Sequence, residues 1–411
     1  MSPTLSLILA LVPAVLSQQS NLTSFSQQLN STGLNALGGL VESLNQTEAG
    51  RQVIDTLASN NVSTVFAPSN DALTAFATDS QGTNASDLGA IFSYHILPGN
   101  YTNMTTNYPN VTLGRTLLNG SSYVNMPGNA SQVLIWSRYP ENGTLFAFNN
   151  GTNVSVTNAS TIGNMEVYVI DHVLRPPGNM SAVLQDPRNG ITNLSAIIAS
   201  MGAMSDNGGN ETRVTTDVAN LGQVLDETPG ITIFAPSDEA MQRANSSLNG
   251  LASNTTALSS LIGNHIVNGS ALYSTLITPN ASGGYLEFTT ASGEPMHLAS
   301  NSSGLYVQVN SSPPARVVRT DLLARNGVVH VIDNVLVDTT SDVSKASSAY
   351  ESATSAARTA TAAAAGPVTA APGQGQPGSG QSGSSGGAQS TYGVLPGLGI
   401  GVLFLAVGWA L

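Results

Sequence analysis

A chain of 411 residues with 24 acidic and 12 basic side chains has a net charge of −12, which argues against nucleic-acid binding through clustered Lys and Arg. Cysteine is absent and only 9% of residues are charged, so disulfides and surface charge are largely unavailable as sources of stability and solubility. Such a chain needs domains large enough to bury a real core.

In chain order, Met1 to Ser17 is an apolar stretch ending in small residues (Val15, Ser17) before Gln18-Gln19. Its length suits a signal peptide over residues 1–17 better than a membrane span. Twenty-three Asn-x-Ser/Thr sequons follow, and none lies beyond Asn310. The first group is Asn21, Asn30, Asn45, Asn61, Asn84, Asn100, Asn103, Asn110, Asn119, Asn129, Asn142, Asn150, Asn153 and Asn158. The second is Asn179, Asn193, Asn210, Asn245, Asn254, Asn268, Asn280, Asn301 and Asn310. This density fits a secreted glycoprotein whose sugars supply the solubility that charge supplies elsewhere, and every occupied site must lie on the surface.

The stretch Thr64 to Ala72, TVFAPSNDA, returns as TIFAPSDEA from Thr232, 168 residues later when Phe66 is set on Phe234. Thr64-Val65-Phe66 reads as a buried β-strand that Pro68 ends by withholding a backbone donor. Ser69 is placed to cap a helix, with Asn70 and Asp71 at its positive end and Leu73, Phe76 and Ala77 facing the core. The second copy repeats the plan with Ser237, Asp238-Glu239, Met241 and Ala244. Two further phrases recur in the same order. Tyr94-His95-Ile96 corresponds to Asn264-His265-Ile266, and Val169-Ile170-Asp171 to Val331-Ile332-Asp333. Leu194 to Met201 and Leu251 to Ile262 read as helices, whereas Tyr285 to Phe288, Leu305 to Val309 and Val328 to Leu336 read as strands. Asp171 and the buried-looking Asp333 are expected to accept local backbone hydrogen bonds at a turn. His95, His265 and His330 read as packed core histidines. The expected fold class is α+β, with helices early and a β-rich second half in each of two tandem domains, 24–176 and 180–338.

From Thr339 to Ser390 the chain is rich in Ser, Thr, Ala and then Gly, and is expected to remain a disordered, O-glycosylated stalk with at most transient helix near Ala357 to Ala365. As a flexible coil of some 45 residues it is expected to span roughly 40 Å, and up to about 150 Å if glycans stretch it. The apolar tail, residues 391–411, follows a polar small-residue spacer. That order suits replacement by a glycosylphosphatidylinositol (GPI) anchor at Gly386 or Ser385, with a single-pass tail helix as the competing reading.

The motifs resemble those of the fasciclin (FAS1) family. Phe66-Ala67-Pro68-Ser69 and Phe234-Ala235-Pro236-Ser237 look like its first block, and Tyr94-His95, with His265, like its central Tyr-His motif. The stretch around Asp171, and that with His330 and Asp333, look like its second block. The resemblance implies that each domain is a wedge-shaped β-sandwich with helices packed on it. It also implies extracellular adhesion or matrix association, often on a GPI anchor, here with the glycan density of a walled, fungal-type cell. In animal members the Tyr-His region is linked to integrin binding. Copy one keeps the pair, whereas copy two has Asn264 for Tyr94; in the second block, Tyr168 replaces His330 in copy one.

The expected function is therefore a non-enzymatic surface glycoprotein on the outer face of the plasma membrane or in the wall. Its expected partners are wall or matrix glycans or surface proteins (homophilic contact included), with the membrane reached through the GPI lipid. No cofactor, metal, catalytic residue or nucleic acid is expected. The alternatives are a GPI-anchored enzyme acting on wall polysaccharide, which needs a suitably spaced carboxylate pair, and a module binding a small apolar ligand or lipid. No G-x-S-x-G elbow between a strand and a helix and no H-E-x-x-H helix supports the first.

Overall fold

Among the described residues, fourteen strands form two sheets of one topology, and the chain divides into two compact units between Gly178 and Asn179. The computed structural model describes residues 26–44, 48–58, 62–79, 85–101, 104–120, 123–149, 151–204, 221–251, 254–277 and 285–359. The expected leader at 1–17, residues 360–390 of the expected stalk and the expected tail with its anchor candidates Gly386 and Ser385 lie outside the described residues.

The first unit contains β1 (Ser63–Pro68), β2 (Ile96–Pro98), β3 (Thr112–Arg115), β4 (Val133–Arg138), β5 (Leu145–Asn149), β6 (Thr152–Ile162) and β7 (Met165–Ile170). The second contains β8 (Ile231–Pro236), β9 (Ile266–Val267), β10 (Tyr285–Thr289), β11 (Pro295–Asn301), β12 (Gly304–Val309), β13 (Ala315–Ala324) and β14 (Gly327–Ile332). The sheet orders are β2-β1-β7-β6-β5-β4-β3 and, in the same sense, β9-β8-β14-β13-β12-β11-β10. Within each sheet one pair is parallel, β1 with β7 and β8 with β14, and the others are antiparallel. The long strand β6 joins the two layers, pairing with β5 through Thr152 to Ser155 and with β7 from Val156 onward.

The repeated phrase forms the central strand of each copy, and its alternation explains why all six residues are buried. Ile231, Ile233 and Ala235 face a helical layer that includes Met180, Leu184, Ile198, Leu225 and Leu261. Phe234 faces the other way, into a sandwich core with Met296, Leu298, Val307 and Ile332. In the first copy Val65 and Ala67 face the helices, while the Phe66 ring lies 5.7 Å from Trp136 and 5.4 Å from Tyr168, its pairing partner on β7. The two-sided burial accounts for an unbroken apolar run where a half-exposed strand would alternate.

Three expectations need correcting. Ala77 is exposed, and the buried residues of the helix Asn70–Asp79 are Ala72 and Phe76, with Leu73 partly buried. Asp333 is only partly buried, and neither motif aspartate accepts a local backbone hydrogen bond, although Asp171 Oδ1 also lies 3.0 Å from His172 Nδ1. Asp171 Oδ1 accepts from Ser155 N–H at 3.0 Å and Asp333 Oδ1 from Arg316 N–H at 2.7 Å, each across to the neighbouring long strand. Finally, the stalk does not begin at Thr339, because Val343–Thr359 is a helix of the second unit. Val343, Ala346, Ser347, Tyr350, Ala353, Thr354 and Ala357 form its partly or fully buried stripe, at helical spacing. Asp342 caps it, Oδ1 accepting from Lys345 N–H at 3.0 Å, while its own N–H donates to Ser292 O at 2.7 Å. Two upstream glycines receive this segment. A Cβ at Gly293 (φ +88°) would sit 1.9 Å from Asp342 O, and one at Gly269 (φ +81°) 2.8 Å from Ala353 Cβ. Composition alone missed the helix because its buried face is made of small and hydroxyl side chains.

Candidate functional site

The first motif performs the same two tasks in each copy. Ser69 Oγ accepts from Ala72 N–H and Ser237 Oγ from Ala240 N–H, both at 3.1 Å, so each serine caps the helix that follows the central strand. The next residue reaches back to an earlier helix. Asn70 Oδ1 accepts from Ala36 N–H at 3.0 Å, and its amide donates to Gly33 O at 2.9 Å. Asp238 accepts from Asn193 N–H at 2.7 Å and from Thr192 Oγ1 at 3.0 Å. This tie was missed in the sequence, where Asn70 and Asp238 read only as dipole partners of their own helix. Pro68 and Pro236 close the two strands, and Phe66, Ala67, Phe234 and Ala235 are fully buried.

His95 and His265 are equivalent fasteners. His95 Nδ1 lies 2.8 Å from Ile91 O, and its Nε2 accepts from Leu174 N–H at 2.9 Å. His265 repeats this with Leu261 O at 2.8 Å and Leu336 N–H at 3.0 Å. The arrangement requires a neutral ring with its proton on Nδ1, since Nε2 must accept. Burial lowers both pKa values to about 4, against the opposing pull of the Ile91 and Leu261 carbonyls. Each ring pins the segment after the last strand onto the turn that follows a helix, and neither is placed to bind a ligand.

The copies diverge at the neighbouring positions. Tyr94 is buried and donates to Val133 O at 3.1 Å. Asn264 is buried too. Its Oδ1 accepts from Thr290 Oγ1 at 2.8 Å, while its amide donates to Asp338 O and Thr340 O at 3.2 and 3.1 Å. Asn264 thus ties down the chain leading into the helix Val343–Thr359. His330 stacks on Phe234 with ring centroids 5.3 Å apart, where copy one sets Tyr168 beside Phe66. His330 Nδ1 accepts from Asp321 N–H at 3.3 Å and Nε2 lies 2.7 Å from Leu272 O. Burial lowers the His330 pKa against the pull of the Asp321 carboxylate. Tyr168 donates to Glu166 Oε1 at 2.6 Å, and burial, with that carboxylate adding to it, raises its phenol pKa.

These motif side chains bond inward. Among the described residues no group of three or more His, Asp and Glu is placed to hold a metal, and no helix is long and apolar enough to cross a membrane. A cleft of about 230 Å³ among Leu184, Ile198, Leu221 and Leu225 also carries Ser181 and Gln185 on its wall. It is smaller than the roughly 300–1,000 Å³ usual for ligand pockets.

The exposed chemistry is that of the sequons. Asn30, Asn100, Asn110, Asn119, Asn129, Asn142, Asn153, Asn158, Asn179, Asn245, Asn254 and Asn301 are exposed, while Asn193, Asn268 and Asn310 are partly buried. Asn21, Asn45, Asn61, Asn84, Asn103, Asn150, Asn210 and Asn280 lie outside the described residues. At three of the described sequons the amide nitrogen already has protein partners: Asn310 Nδ2 lies 2.7 Å from Glu294 Oε2, 3.0 Å from Asp338 Oδ2 and 3.3 Å from Thr340 Oγ1, Asn153 donates to the Tyr139 hydroxyl at 2.7 Å, and Asn193 to Asp238 O at 3.4 Å.

Comparison with known proteins agrees with the duplication. The family model of the Fasciclin domain matches residues 39–176 and again 210–338. A fasciclin-like arabinogalactan protein of Arthroderma benhamiae is 28% identical over 323 residues, covering 76% of this chain and 66% of that relative. Transforming growth factor-beta-induced protein ig-h3 of Oryctolagus cuniculus is 29% identical over 145 residues, 35% of this chain and 20% of its own length. The chain thus spans less than two thirds of either curated relative. Among solved structures, a FAS1 domain pair from the insect cell adhesion molecule fasciclin I aligns at 18% identity with a TM-score of 0.35, covering 75% of this chain and 98% of that one.

Proposed function

Because the chain belongs to the fasciclin-domain family, we propose that it is a non-enzymatic cell-surface glycoprotein whose two folded units mediate adhesion or organise the cell wall or matrix. Fasciclin domains occur in cell-adhesion and cell-wall-associated proteins, and such proteins are typically extracellular or at the cell surface. In this reading residues 1–17 are a signal peptide, the sequons carry glycans, and a GPI lipid at Gly386 or Ser385 replaces the tail. Residues 360–390 are the stalk. The partners are wall or matrix glycans or surface proteins, a second copy of this chain included.

The observation that carries the proposal is where the motif side chains point. His95, His265 and His330 are buried in hydrogen bonds within their own copy, and Asp171 and Asp333 each hold a backbone amide. That leaves recognition to the outer surface, where twelve of the described sequons are exposed. The test is surface display of the full chain beside a version lacking residues 24–359 but keeping leader, stalk and tail. The full chain should promote cell aggregation or wall attachment, and the shortened one should not. Equal behaviour would remove the folded units from the adhesive role.

A further inference from the structure

The outer face of the β10–β12 ladder sets two tyrosines on either side of an alanine. Tyr285 and Tyr306 both pair with Ala299, so the three side chains share one face across three strands. The tyrosine backbones stand about 10 Å apart, two strand spacings, over a floor with no bulk. Tyr285 is 63% exposed, Ala299 is exposed and Tyr306 is half-buried. The copies can be aligned here residue by residue. Asp171 holds Ser155 N–H and Asp333 holds Arg316 N–H; Ser155 pairs with Phe146 and Arg316 with Tyr306. Phe146 is therefore the counterpart of Tyr306, and its partner Ser137 that of Ala299.

In the first copy the same face is covered by protein. Phe146 is 1% exposed, with Tyr139 stacked on it at 4.0 Å and Tyr108 at 6.3 Å. Ser137 Oγ donates to Thr106 O and Asn110 O, which fixes residues 106–110 over the strand.

A sequon sits at the tip of the hairpin beside this face in both copies. Asn142 lies between β4 and β5, and Asn301 ends β11 opposite Gly304 of β12. In each, the asparagine Oδ1 accepts the N–H two residues on, from Thr144 at 2.9 Å and from Ser303 at 2.8 Å. That turn holds the oxygen and leaves Nδ2, the atom that carries a glycan, on the outside. Asn301 is two residues beyond Ala299, hence on the tyrosine face, with Tyr306 as its diagonal neighbour. Directly across, Gly304 offers no side chain, and the Arg316 guanidinium passes over it, 3.2 Å from where a Cβ would stand.

We infer that Asn301 carries an N-linked glycan whose first sugars lie back across the Tyr285–Ala299–Tyr306 face, so that sugar covers in the second copy what residues 106–110 cover in the first. Tyrosine suits the role, because its ring offers the C–H face of a sugar an apolar plane while its hydroxyl and the Arg316 guanidinium reach sugar oxygens. In the linkage step the Asn301 Nδ2–C1 bond to N-acetylglucosamine forms as the C1–oxygen bond to a polyprenyl diphosphate donor breaks. The diphosphate leaves, and an amide proton goes to base. The inference rests on the proposed secretion of the chain.

The full chain, secreted from a eukaryotic host, is digested with peptide N-glycosidase in heavy-oxygen water, and site occupancy is read by mass spectrometry. Asn301 is expected to be occupied. Ser303→Ala, which abolishes the sequon and keeps the backbone donor of the turn, should lower the melting midpoint of the second copy by about 3 °C. It should also raise the nitration rate of Tyr285 several-fold. In a Tyr285→Ala, Tyr306→Ala background the same Ser303→Ala change should shift the midpoint by less than about 1 °C. An unoccupied Asn301 beside occupied sequons overturns this inference and leaves the secretion reading standing, whereas a chain with no occupied sequon overturns both. Equal shifts in the two backgrounds, with unchanged nitration, would show that the glycan projects into solvent and overturn the inference.

Discussion

The two copies share their fasteners and differ in what is attached to them. Each uses a histidine bonded at both nitrogens to pin the segment after its last strand, and a serine to cap the helix after its central strand. One residue before the histidine they part. Tyr94 fills the first core and bonds across it to Val133 O, whereas Asn264 reaches out to Asp338 and Thr340 and so holds a helix that the first unit has no counterpart for among its described residues. The lesson is that the part of the motif in common is architectural, while the position beside it sets what each copy is joined to.

If the fasteners are equivalent, breaking them should do equal damage. His95→Ala and His265→Ala each leave a buried N–H, that of Leu174 or Leu336, without its partner, take one partner from a buried helix carbonyl and open a cavity, with an expected cost of about 3–5 kcal/mol. Native-state hydrogen exchange in β1 should register the first change and exchange in β8 the second. A loss in one copy twice that in the other would break the equivalence.

Acid should separate the copies. A histidine whose folded pKa is depressed to about 4 contributes stability that is complete above the unfolded value of 6.5 and lost as pH falls from there toward 4. Across that window each such ring accounts for about 3 kcal/mol. Copy one has His95 alone, while copy two has His265 and also His330, lowered by burial against the Asp321 carboxylate. Copy two should therefore lose stability more steeply between pH 6.5 and 4, measured as exchange in β8 against β1. His330→Tyr, which imports the residue of copy one, should bring the two slopes together.

How much of this the sequence disclosed depends on where the partners lie. The strand ending at Pro68 or Pro236 and the capping Ser69 or Ser237 are local devices, so punctuation and apolar runs revealed them twice over. His95 was legible as a packed core residue, but its partner Leu174 is 79 residues away and no spacing rule connects them. Asn70 and Asp238 misled in the same manner, since their side chains serve a helix more than 30 residues upstream. The helix Val343–Thr359 shows the limit most clearly. Its stripe of Val, Ala, Ser, Tyr and Thr has the composition of a linker, and what admits it is the absence of side chains at Gly269 and Gly293. Composition reports how much apolar surface a segment can bury, and close backbone approach lets a segment with little of it dock.

That helix also gives the finest discrimination between the copies. Asn264→Ala removes two donors to the chain before the helix and the acceptor for Thr290, at an expected cost of about 2 kcal/mol. The loss should be confined to residues 338–359 and their seat at Gly269 and Gly293, seen as faster hydrogen exchange there with β1 unchanged. Tyr94→Phe, the matching deletion in copy one, removes a single buried hydrogen bond of about 1 kcal/mol and should loosen β4 at Val133, with no terminal segment affected. Should Asn264→Ala leave exchange in the helix unaltered, the glycine seat alone would hold it. The divergence between Tyr94 and Asn264 would then concern core packing and not the attachment of the helix Val343–Thr359.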